Sequence, residues 1–161
     1  MSIAQSPRLK IGWKAASPFV LLGVAAVIAG GMVSAFTAST PSRQLAWLVA
    51  YLVLVVGVAQ IGLGAGQSWL AVHPLGGGVL VTEFLGFTLG NAGVAAGTML
   101  SLPIMVNVGG ILLVASLALF LWGVRGSVRG GWLRYVYRAL VALLLVSIPI
   151  GLILAQIRAG Q

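Results

Sequence analysis

Glu83 is the one acidic side chain in a sequence of 161 residues, and it falls within 75–102, a stretch otherwise apolar enough to cross a membrane. A carboxylate in hydrocarbon is costly, so an ionisable residue at membrane depth is by default a candidate for ion or proton handling. Asn91, eight positions further on, shares its helical face and extends a polar track inward. A structural role competes with that chemistry. Close to the start of a helix, a carboxylate is stabilised by the positive end of the helix dipole. It is also placed to pair with a lysine or with Arg129 or Arg134 at the same membrane face. The ion pair, bracing one helix against its neighbours, is the favoured expectation, and a proton- or cation-coupled site through Glu83 and Asn91 is the alternative.

Other chemistry lacks the residues to perform it. There is no aspartate or cysteine, one glutamate and one histidine, His73. Paired carboxylates, a Ser-His-Asp arrangement and a two-metal site cannot be assembled from one such chain. One histidine does not make a zinc site or a bis-histidine haem site, so no metal and no cofactor is expected. Gly76, Gly77 and Gly78 lack the lysine and the strand–helix context of a phosphate loop. The chain therefore reads as no enzyme. Gln60, Asn107 and Gln156 are further polar side chains at membrane depth. Their amides are expected to find partners on neighbouring helices, at about 0.6 kcal/mol each.

The elements that position these residues follow from composition. Hydrophobic residues make up 60% of the sequence and charged residues 6%, against about 25% charged in soluble domains. Mean hydropathy is +1.14. A transmembrane helix needs about 20 apolar residues, and the uncharged runs reach that length repeatedly. Runs such as 45–63 and 104–122 are apolar on nearly every face, without the alternation of a β-barrel strand. The reading is an all-α, polytopic transmembrane bundle forming a single integral membrane domain. Its five spans are placed at about 18–37, 45–66, 79–100, 103–123 and 132–157. The alternative keeps four spans and makes 79–100 a re-entrant or interfacial helix. Between the second and third spans, 67–78 carries Trp69, His73, Pro74 and three consecutive glycines and reads as a loop.

Within the third span, Gly86, Gly90, Gly93 and Gly97 recur at intervals of four, three and four, which stacks them on one helical face. Without a hydrophobic force between helices in lipid, small residues that permit close approach are the main packing device. The net charge of +8 is explained by the positive-inside bias, because the basic residues flank the apolar runs. With five crossings, Arg8, Lys10, Lys14, Arg125, Arg129, Arg134 and Arg138 share one face, leaving Arg43 and Arg158 on the other. That arrangement predicts a cytoplasmic N-terminus in a bacterial inner membrane. The functional expectation is a structural or accessory subunit, or scaffold, of a membrane complex. Its partners would be the bilayer, anionic lipid headgroups, and copies of itself or a larger assembly, with no nucleic acid. A small oligomeric channel or transporter using Glu83 and Asn91 is the alternative.

Overall fold

The structure is a computed structural model that describes residues 7–71, 76–125 and 131–159, with side chains described within 13–150. Five helices are long and apolar enough to cross a membrane. We label them α1 (Pro7–Phe36), α2 (Arg43–Leu70), α3 (Gly77–Met99), α4 (Pro103–Gly123) and α5 (Gly131–Ala159). His73 and Arg129 lie outside the described residues, as do the side chains of Arg8, Lys10, Gln156 and Arg158.

Local chemistry sets the helix ends. Ser42 caps α2, its hydroxyl oxygen accepting from the Leu45 amide at 3.1 Å. Between α3 and α4 the chain reverses in a few residues. Ser101 takes a left-handed backbone, φ 56°, while the Leu102 amide donates to the Gly97 carbonyl at 2.8 Å, the six-to-one bond that closes a helix C-terminus. Pro103 then opens α4, where its missing N–H goes unneeded.

α3 is a single uninterrupted helix of 23 residues, about 34 Å long at 1.5 Å per residue. That exceeds the roughly 30 Å of a hydrocarbon core. It runs antiparallel along α4, with Gly86 facing Ser116 near one end and Gly97 facing Val106 near the other. This end-to-end packing replaces the four-span alternative. The contact is backbone against backbone: a Cβ added at Gly90 would sit 2.9 Å from the Gly109 carbonyl oxygen, and one at Gly109 would sit 2.7 Å from that of Gly90. α1 and α2 form a second antiparallel hairpin of the same kind, with Gly23 against Ile61 and Gly30 against Val53. α5 lies against α4 and α2, its Tyr137 ring seated on Gly66 and Leu140 on Gly62.

The helices meet around Phe19, Leu63, Phe87, Leu117, Phe120 and Val141, all nearly inaccessible. The Phe19 ring lies edge-on to Phe84 at 5.3 Å and to Phe120 at 5.6 Å, and Phe87 meets Phe120 at 6.1 Å. Such edge-to-face contacts add to the burial itself. Outward faces carry Leu21, Ile28, Ile104, Ile111, Trp132 and Leu143 in the open. Apolar residues outside and polar residues inside suit a bilayer as solvent. The antiparallel contacts bring the starts of α1, α3 and α5 and the ends of α2 and α4 to one end of the bundle. Lys14, Arg125, Arg134 and Arg138 belong to that end, and Arg43 to the other.

Candidate functional site

Glu83 is the seventh residue of α3, about 9 Å along the helix from its first residue, and it is completely enclosed. It faces α2, because α2 runs to Leu70, four residues beyond the extent that hydropathy indicates. The extra turn carries Gln67 out of the expected loop and into the interior. Gln67 Nε2 donates to Glu83 Oε1 at 2.8 Å, with both side chains buried. Glu83 Oε2 is buried without a hydrogen-bond partner, and so is the Tyr137 hydroxyl on α5.

A second polar contact lies further along the same two helices. The Tyr51 hydroxyl donates to Asn91 Oδ1 at 2.7 Å, and Asn91 Nδ2 donates to the Phe87 carbonyl at 2.8 Å, one turn back on α3. Gln60 lies between the two contacts along α2, fully buried, with neither amide atom hydrogen-bonded. Glu83 and Asn91 are about 12 Å apart along the α3 axis, so the two hydrogen bonds join α2 and α3 at two levels.

The backbone of α2 accounts for that arrangement. Gln60 and Gln67 are seven residues apart and share a face of a regular helix. Tyr51 is nine residues before Gln60, about two and a half α-helical turns, which would place it on the opposite face. Residues Leu52–Ala59, however, are π-helical. Each turn of i→i+5 bonding holds close to one residue more than an α-turn. Over eight residues this rotates the start of α2 back toward α3, and Tyr51 reaches Asn91.

No protein-family model, curated protein or solved structure matches the chain significantly. The geometry of the site itself carries the functional reading.

The Arg134 guanidinium lies 5.3 Å from the centre of the Tyr135 ring, and Arg125 lies 4.9 Å from the Trp122 ring. Both are cation–π distances. A hydrogen bond to Glu83 comes from the uncharged Gln67 amide, which the sequence does not single out. Gly86, Gly90, Gly93 and Gly97 all face α4. Tyr51, Gln67 and Tyr137 were not expected at the site. Tyr51 reads in sequence as an interfacial aromatic, and its ring does stack on Trp47 at 5.0 Å while its hydroxyl points inward.

Chemically, the site offers one carboxylate, two unpaired hydroxyl or carboxyl oxygens and several amides, inside a low-dielectric interior. It can bind or brace. The phenyl rings of Phe19, Phe84 and Phe120 fill the core beside it.

Proposed function

We propose that the protein is a non-enzymatic integral membrane subunit that acts as a scaffold or accessory component of a membrane complex. The observation that carries this reading is the filled interior. A path for hydrated ions or solutes needs a lumen, whereas the core here is occupied by Phe19, Phe87, Phe120, Leu63 and Leu117, each at most 1% exposed. Helices locked by glycine-to-backbone contacts form a rigid body suited to holding other components in place. On its outer surface α4 carries a shallow apolar groove lined by Gly110, Ile111, Val114 and Ala115, a shape suited to a neighbouring helix. The partners we propose are the bilayer and copies of this chain or a larger assembly, not nucleic acid. Anionic lipid headgroups would meet Lys14, Arg125 and Arg138 at the basic end, with about 1 kcal/mol per basic residue. The charge distribution also supports a cytoplasmic N-terminus, and a bacterial inner membrane is the location we propose.

A second reading, a small oligomeric channel or transporter working through Glu83 and Asn91, draws support from the burial of both residues. Purification in mild detergent, with native mass and bound species measured, separates the two when paired with flux assays in liposomes. A fixed stoichiometry with partners or copies and no flux supports the subunit. A chain without stable partners that gives proton or cation flux, abolished by Glu83→Gln, overturns it.

A further inference from the structure

The chain's only acidic side chain, Glu83, is enclosed within the bundle, while Lys14, Arg125 and Arg138 are exposed at the basic end. The negative charge that meets these three cations therefore comes from outside the chain. Arg125 is tied to a feature deeper in the membrane. Its guanidinium lies 4.9 Å from the centre of the Trp122 ring, a contact that engages the flat face of the cation and leaves its N–H edge to meet a phosphate. Trp122, Ala118, Ala115 and Ile111 recur at intervals of four, three and four, so they share one face of α4. All four are exposed.

That strip leads into the groove lined by Gly110, Ile111, Val114 and Ala115, none of which carries a polar side chain. The small side chain of Ala118 keeps the surface between the groove and Trp122 open. Ile111 lies eleven residues from Trp122, about 16 Å along the helix. This is close to half of the roughly 30 Å hydrocarbon core. The strip therefore starts beside a cation and a tryptophan, a pairing suited to the headgroup boundary, and ends near the bilayer midplane. One acyl chain in one leaflet follows the same path. By shape alone the groove takes a helix or an acyl chain, and the cation one leaflet's depth away decides for the lipid.

We propose that Arg125 and the α4 groove form a binding site for a single anionic phospholipid, with its phosphate on Arg125 and one acyl chain running past Ala118 into the groove. The proposal rests on the reading that the basic end meets anionic headgroups, and it assigns one lipid to one place on that end. A free anion would use the cation but not the groove. A neutral lipid would use the groove but not the charge. The two features on one face select a molecule that carries both a negative headgroup and a long chain.

The test is lipid binding to the full chain in mild detergent, read by native mass spectrometry, with phosphatidylglycerol, phosphatidylcholine and a short-chain phosphatidylglycerol as probes. The wild type is expected to hold one long-chain phosphatidylglycerol more tightly than either of the others. Arg125→Gln should weaken that binding about five-fold, the equivalent of about 1 kcal/mol for one basic residue at the membrane surface, and leave phosphatidylcholine unchanged. Arg43→Gln, the same charge change at the opposite end, should alter neither. Ala115→Phe fills the groove from an exposed position and should weaken both long-chain lipids alike; Ala118→Phe, nearer the headgroup, replaces it if it does not fold. Equal phosphatidylglycerol binding by Arg125→Gln and Arg43→Gln, or undiminished binding in the groove variants, overturns the site and leaves only a diffuse headgroup contact at the basic end. A wild type that does not prefer phosphatidylglycerol overturns the headgroup reading as well. Loss of self-association in Ala115→Phe with lipid binding unchanged assigns the groove to a second copy and overturns the proposal.

Discussion

At the scale of single residues, the hydrogen bond between Gln67 and Glu83 determines what the lone acid can do. Gln67→Leu removes the donor and leaves Glu83 Oε1 buried without a partner, a loss of about 1–3 kcal/mol. Glu83→Gln keeps an acceptor for Gln67 and should cost less. Equilibrium unfolding in mild detergent checks the order. Equal losses would mean that the carboxylate's charge, rather than its bond to Gln67, sets stability. Tyr51→Phe deletes the donor to Asn91 and should cost about 0.6 kcal/mol, the average for a hydrogen bond between membrane helices. Glu83 and Asn91 stand out in the sequence because polar residues are rare in apolar runs. Their partners do not, because Gln67 lies among glycines and Trp69, where composition suggests a loop, and Tyr51 sits where aromatic residues mark the interface.

At the scale of helices, the fold depends on where backbones can touch. A side chain at Gly97 would meet the Val106 backbone nitrogen at 2.8 Å, and one at Gly109 would meet the Gly90 carbonyl oxygen. Backbone cannot move aside as a flexible side chain can. Gly97→Leu and Gly109→Leu should therefore separate α3 from α4 and cost more than 2 kcal/mol, near the upper range for overpacking. Gly31→Leu is the control, because nothing lies within 4 Å of its added Cβ. The reversal at Ser101 gives a change of opposite sign. With φ at 56°, Ser101→Gly removes a left-handed strain of about 1 kcal/mol and should raise the unfolding midpoint. The four-, three- and four-residue spacing of the α3 glycines makes this packing legible from sequence alone. The π-helical turns of α2 are not, because nothing in Leu-Val-Leu-Val-Val-Gly-Val-Ala distinguishes i→i+5 bonding from a regular helix.

At the scale of the whole molecule, five crossings place a buried carboxylate near the basic end of a bundle whose outer surface is apolar. Hydropathy and charge make that architecture readable, since span length and the distribution of arginines depend on composition rather than on individual contacts. Helix ends are less readable, as α2 illustrates by continuing to Leu70. The central claim is that α3 traverses the membrane and carries Glu83 inside. Because the chain contains no cysteine, single cysteines introduced at Ser42, Ser101 and Arg125 can be tested one at a time with a membrane-impermeant maleimide on intact cells. Cysteines at 42 and 101 should label from one side and a cysteine at 125 only from the other. Labelling of 42 and 125 from one side, with 101 opposite, would contradict the crossing of α3.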